Sequence, residues 1–414
     1  MTEETDPAPG RSSGFALILG ATAVGGAAGY VITWLVPRAI GFESYAPFAI
    51  FWAFLFLVIS ALSGIQQEIT RATHVAESGA AQRGRAARVA VVVGFAVLAI
   101  VLLSSLIWAH WIFPASSVLA LPLALGAASY VAVAVLYGTL YGTHQWRSLF
   151  LLVVTEALAR LVLIGIVLGA GGDLLLLAWA VAVPIPLALL IAWPYVRRTA
   201  ARQSKMDIGY RGLAWNVART VTASTSMGVL ISGLPLVLGL TSGDVPPGEF
   251  GLMISAVTLT RAPLIVVAMA LQSFLVVRFR SHSRPLALLR RLVLIVVGVA
   301  ALLGVLGYLA GPFVFQLLFP GGPVPSSSLI GALVGSSALV AILCLTGSAV
   351  LARSLHLAYS AGWLTAALVT LACVLLPLPF ETRTLIALFA GPIAGIVIHL
   401  VAARRGTVTA TSAI

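Results

Sequence analysis

Tyr45 to His74 reads "YAPFAIFWAFLFLVISALSGIQQEITRATH", an uncharged apolar run to Leu62 and then two glutamines, a glutamate, two threonines and an arginine in quick succession. At about 100° per residue, Ser60, Gly64, Gln67, Glu68 and Arg71 fall within an arc of about 100°. The polar stretch therefore prolongs the apolar segment as an amphipathic helix. A helix that is apolar all round over its first part and striped over its last is expected of a chain that crosses a bilayer and emerges into the headgroup zone.

The rest of the chain repeats this character. Of 414 residues, 60% are hydrophobic and only 9% charged, which no single soluble core accounts for. Each crossing needs about 20 mostly apolar residues. Such segments fall at 14–36, 45–66, 87–110, 116–141, 149–169 and 173–195, and again at 214–240, 250–277, 286–310, 326–351, 357–378 and 381–402. The expected fold is an all-α membrane protein of twelve transmembrane helices. The first apolar run exceeds a signal-peptide core of about 7 to 15 residues and follows Glu3, Glu4 and Asp6, so it reads as a retained span. Cys344 and Cys373 lie at different distances from their shared loop, which argues against a bridge and leaves redox compartment unread.

A net charge of +12 raises the question of nucleic acid, and its distribution answers it. Alternate loops and the two tails hold 20 of the 24 basic residues, with clusters at Arg71, Arg83, Arg85 and Arg88, at Arg197 to Arg219, and at Arg278 to Arg291. The opposite loops carry Arg38 and Arg383 beside Glu43, Asp173, Asp244, Glu249 and Glu381. By the positive-inside rule both termini are cytoplasmic, and no nucleic-acid partner is implied. Arginine outnumbers lysine 23 to 1, in keeping with a GC-rich bacterial genome.

The longest basic connection, "RRTAARQSKMDIGYRG" (Arg197 to Gly212), divides the spans six and six. The expected organisation is a cytoplasmic tail (1–13), a six-helix bundle (14–195), a cytoplasmic linker (196–213), a second six-helix bundle (214–402) and a cytoplasmic tail (403–414). Six is even, so the halves form a parallel repeat about an axis along the membrane normal. "IQQEITRAT" closes span two and "LQSFLVVRF" closes span eight, with "QRGRAARVA" and "PLALLRRLV" in the basic segments that follow.

Two arginines remain inside spans. Arg261 lies near mid-span eight, where a lone guanidinium is costly and marks a functional site or a cap on carbonyls freed by Pro263. Its fork of donors matches phosphate oxygens. Gln272 shares the face of Arg261 within about 40°. Arg160 has Glu156 one turn before it, so an i, i+4 pair neutralises both, within the helix or at a cavity wall. Gln67, Glu68 and Arg71 suit either an interfacial helix end or a binding surface. Thr220 and Ser224, one turn apart in span seven, suit helix packing or a polar cavity wall, and Gly25 and Gly29 in span one suit close helix contact. The six histidines show no metal-ligand spacing, and no phosphate loop, nucleophile motif or cofactor signature occurs.

These features resemble the multidrug/oligosaccharidyl-lipid/polysaccharide (MOP) exporter superfamily across essentially the whole chain, above all "SGIQQEITRAT" closing span two and "TRAPLIVVAMALQSFLVVRF" in span eight. Within it the chain is similar to the polysaccharide biosynthesis proteins of actinobacteria. The resemblance implies a flippase of the cytoplasmic membrane, not an enzyme. Its substrate would be a polyprenyl-diphosphate-linked oligosaccharide or polysaccharide repeat unit, moved by alternating access, with glycan synthases or polymerases as partners. Related lipid II flippases line their cavity with arginines on spans one, two and eight; Arg261 matches the last, while span one here holds only Arg38, at its outer end. Drug-extruding relatives couple to cations through membrane carboxylates, and the sole deep acid here is Glu156. A membrane glycosyltransferase would need catalytic carboxylates or a substantial outer loop, and the outer loops are short.

Overall fold

The computed structural model describes residues 10–75, 85–114, 116–191, 204–206, 210–282 and 284–411. Residues 1–9 and 412–414 of the expected tails, Arg83, and residues 192–203 and 207–209 around the expected linker lie outside the described residues.

The described residues are almost entirely helical. α1 (Gly10–Ala72) is 63 residues long, about 95 Å at 1.5 Å per residue, three times a bilayer's hydrocarbon thickness. It is two spans joined at a single non-helical residue, Gly41 (φ 78°, ψ 161°), a backbone region open to glycine. The helices that follow are α2 (Arg85–Ile112), α3 (Ala120–Gly142), α4 (Trp146–Gly169) and α5 (Leu174–Ile191). After the linker come α6 (Tyr210–Ile231), α7 (Leu234–Thr241), α8 (Pro247–Ser281), α9 (Pro285–Leu318), α10 (Ser327–Ala352), α11 (His356–Val374) and α12 (Phe380–Thr411). α6 and α7 form one span bent by 70° at Ser232–Gly233. Counting α1 twice and the bent pair once gives twelve described spans, six on either side of the linker. Two three-residue strands, β1 (Thr73–Val75) and β2 (Ser204–Met206), pair antiparallel.

The repeat is visible in burial. In each half the third span faces outward and the fourth is the centre: α2 and α9 have 0% and 6% of their apolar windows buried, α3 and α10 67% and 72%. Phe95, Leu103 and Leu106 on α2, and Leu302, Leu309 and Phe313 on α9, are exposed apolar side chains, as a lipid-facing surface requires.

The chain divides into two compact units, Met1–Val31 with Val58–Ser224, and Ile32–Leu57 with Thr225–Ile414. In the first, Val131, Leu140, Leu149, Leu152 and Ile185 form a core centred on α3. Gly138 and Gly142 let the end of α1 lie against the α3 backbone, since a Cβ at Gly138 would stand 2.6 Å from Ile69 Cβ. Gly25 and Gly29, expected to mediate close contact, do not: a Cβ at Gly25 would meet only Val153, at 3.9 Å, and one at Gly29 nothing within 4 Å. Close approach falls to Gly14, beneath the Trp146 ring, and to Gly64.

In the second unit the Gly41 corner is held by Phe42, whose ring packs on Phe315 and Phe319 at 6.2 and 5.1 Å. Gly251 admits the Phe42 carbonyl where any Cβ would overlap it. Arg38 donates to the Leu318 carbonyl at 2.5 Å, as Trp34 Nε1 does at 3.2 Å. This arginine thus caps the C-terminal end of α9, where a cation is favoured.

Candidate functional site

The polar stripe of Tyr45–His74 lies where its spacing predicts, on the helical continuation of span two, and it meets α6. Asn216, Thr220 and Ser224 recur every four residues on α6 and face it in register. Asn216 Nδ2 donates to Glu68 Oε1 at 2.9 Å, Thr220 Oγ1 to the Gly64 carbonyl at 2.9 Å, and Gln67 Nε2 to Ser224 Oγ at 3.1 Å. Ser60 Oγ donates to the Ser224 carbonyl at 3.1 Å. The helices approach closely because Gly64 has no side chain; a Cβ there would stand 2.5 Å from Val221 N. Glu68 is buried and accepts from Arg71 Nε at 2.9 Å and Nη2 at 2.5 Å, while the Arg71 side chain is 56% exposed. Gln67, Glu68, Arg71, Thr220 and Ser224 each have a protein partner in this seam.

Glu156 and Arg160 form the expected ion pair on α4, 2.6 Å apart. Two other helices complete it: Tyr137 of α3 donates its hydroxyl to Glu156 Oε2 at 3.3 Å, and Arg160 Nε donates to the Val181 carbonyl of α5 at 3.2 Å. A buried pair with its remaining hydrogen-bonding capacity engaged is neutral toward its surroundings.

Arg261 is the exception. It is buried (4% exposed), its Nε has no hydrogen-bond partner, and no carboxylate forms an ion pair with it among the described residues. α8 runs unbroken through Pro263, and among the described residues no hydrogen bond ties the guanidinium to carbonyls around that proline. Gln272, eleven residues along the same helix, donates to the Tyr359 hydroxyl of α11 at 3.1 Å, and its own carbonyl accepts from Ser348 of α10 at 3.4 Å. In the second unit, then, one site residue is built into a hydrogen-bonded cluster and the other is an uncompensated cation.

Sequence reasoning did not find Asn216, Tyr137, Tyr359 or the buried His399. Asn216 alone carried a local signal, since it precedes Thr220 by one helical turn.

No protein-family model matches the chain. Uncharacterized protein Rv3630 of Mycobacterium tuberculosis is 33% identical over 393 residues, 93% of this chain and 90% of that protein. Uncharacterized protein Rv1510 of the same species is 33% identical over 395 residues, with the same coverage. The chain belongs to their family. This family's fold is shared with solved transporters at identities too low to carry more than fold. A multidrug resistance MATE family transporter of the MOP superfamily, in its inward-facing conformation, superposes with a TM-score of 0.68 over 95% of this chain and 96% of that one, at 16% identity. The eukaryotic MATE transporter AtDTX14 gives 0.61 over 96% and 95%, also at 16% identity. A MOP superfamily transporter from Pyrococcus furiosus, described as having a binding pocket of reverse polarity, gives 0.58 over 95% and 93%, at 17% identity. The multi-pass helical fold is therefore the one that these solved MATE and MOP transporters have.

Proposed function

We propose that this protein is a flippase of the cytoplasmic membrane that moves a polyprenyl-diphosphate-linked glycan between leaflets by alternating access, with both termini cytoplasmic. The observation that carries the reading is Arg261, a buried guanidinium without a protein counter-charge among the described residues. A charge in that position is costly unless a ligand or water completes it, and a diphosphate supplies oxygens that the guanidinium fork engages in pairs. The reverse polarity of binding pocket described for the Pyrococcus furiosus transporter, taken to suggest a different function, is in keeping with this fold serving more than one kind of transport. The acidic side chain a cation-coupled drug pump would use has no free candidate among the buried acids of the first unit, where Glu68 and Glu156 are both paired.

Cells lacking the gene should accumulate one polyprenyl-diphosphate glycan on the cytoplasmic leaflet. The wild-type gene should clear it, and Arg261→Ala should not, at equal protein level in the membrane. Export persisting in Arg261→Ala would refute the assigned role. Absence of accumulation, with drug sensitivity that Glu156→Gln reproduces, would establish the efflux reading that the multidrug neighbours share.

A further inference from the structure

His399 of α12 is wholly buried, with 0% of its surface exposed, and the second unit is built closely around its ring. Tyr359 stacks on it, centroids 6.1 Å apart and planes within 4°. A Cβ at Gly362 would overlap the imidazole, and one at Gly347 would stand 3.4 Å from its Cε1. His399 Nε2 lies 3.2 Å from the Tyr359 carbonyl, and Nδ1 lies 3.0 Å from Thr346 Oγ1.

The two contacts constrain the protons. A carbonyl only accepts, so Nε2 carries hydrogen. A hydroxyl donates or accepts, so Nδ1 is free to be bare or protonated. When the ring is neutral, Thr346 turns its hydroxyl hydrogen onto Nδ1 and gives up its bonds to the Ile342 and Leu343 carbonyls, at 3.0 and 3.1 Å. When a proton adds to Nδ1, the N–H donates to Thr346 Oγ1 and the hydroxyl hydrogen returns to those carbonyls. Both states are fully hydrogen-bonded and differ by one proton and one hydroxyl rotation. That distinguishes His399 from a buried histidine whose second nitrogen meets only a donor or only an acceptor.

We propose that His399 is a proton-binding site within the second unit, with Thr346 as the rotor that accommodates either state. Thr346 also lines a cavity of about 560 Å³ with Arg290, Leu400 and Arg404. The titratable groups on the packed helices are Tyr359 of α11 and Cys344 of α10. The charged ones are cationic: Arg290 of α9, Arg404 of α12, and Arg353 just past the end of α10, which donates to the Ala403 carbonyl. α8 contributes neutral Gln272, bonded to the Tyr359 hydroxyl. Proton binding at His399 does not rest on the transporter reading.

The test uses the full chain in lipid nanodiscs with ¹⁵N-labelled histidine, the other five histidines replaced by glutamine so that His399 alone reports. Its ring nitrogens should pass, as the pH falls, from a neutral pair, one protonated and one bare, to the imidazolium pattern. Thr346→Val, which removes the Nδ1 acceptor and keeps the shape, should move the midpoint down by about one pH unit. Tyr359→Phe, which keeps the carbonyl, should leave it in place. Shifts that stay constant down to the pH at which the protein unfolds, or a midpoint that ignores Thr346→Val, would overturn the proposal. No glycan is needed, so failure of the export assay leaves this result standing, and a flat titration leaves the reading of Arg261 standing.

Discussion

The two units treat buried polarity in opposite ways. In the first, buried Glu68 is tied to Arg71 and Asn216, and part-buried Glu156 to Arg160 and Tyr137, so each of these acids meets a cation and a neutral donor. In the second, Arg261 has no counter-charge among the described residues, and His399 presents its two nitrogens to one carbonyl and one reversible hydroxyl. Low dielectric penalises an unmatched charge severely, so a chain that neutralises its charges elsewhere and leaves one open invites a partner from outside. The first unit's charges at Glu68 and Glu156 are matched within the protein, and the second's charge at Arg261 is not, among the described residues.

The largest effect that would break this comparison is on stability. Arg160→Ala leaves Glu156 buried beside a single phenol and should cost roughly 3–5 kcal/mol, whereas Arg160→Met combined with Glu156→Gln should recover most of it. Arg261→Met should cost little or even stabilise, because it removes a buried charge that no described protein group compensates. Unfolding of the purified variants in detergent decides the matter. Equal losses at Arg160 and Arg261 would mean that Arg261 is structural after all.

Much of this was legible in the sequence, and the pattern of what was not has a physical cause. Span positions, the polar face of Ser60 to Arg71 and the Glu156–Arg160 pair are local, fixed by hydropathy and by helical spacing. At the Gly41 corner hydropathy implies a loop between spans that end at 36 and begin at 45; one residue with positive φ suffices, so helix continues on both sides. Gly25 and Gly29 have the spacing of a packing motif without a close neighbour, because which face of a lipid-soluble helix turns inward depends on the rest of the bundle. His399 gave no signal at all. Its partners Thr346 and Tyr359 lie 53 and 40 residues away, on two other helices. Arg261 is marked in the sequence by the cost of its position, and the structure adds that no described protein group meets that cost.

The seam between α1 and α6 sharpens the comparison at smaller scale. Gly64→Leu places a side chain into the α6 backbone at Val221 and should cost roughly 1–3 kcal/mol by overpacking, read as a lower melting temperature in detergent.

The smallest effect is the most discriminating. Thr220 Oγ1 lies within hydrogen-bonding distance of the Gly64 carbonyl and also of the Asn216 and Val217 carbonyls of its own helix, at 3.1 and 3.0 Å. Its hydrogen is shared among acceptors that are already bonded within helices, so the cross-helix bond adds little that α6 does not offer by itself. Thr220→Val keeps the shape and should cost only about 0.6 kcal/mol. On the reading of this seam as packing, glycan export should persist. Export lost with stability intact would move Thr220 from the seam to the substrate path, and with it the line drawn between the two units.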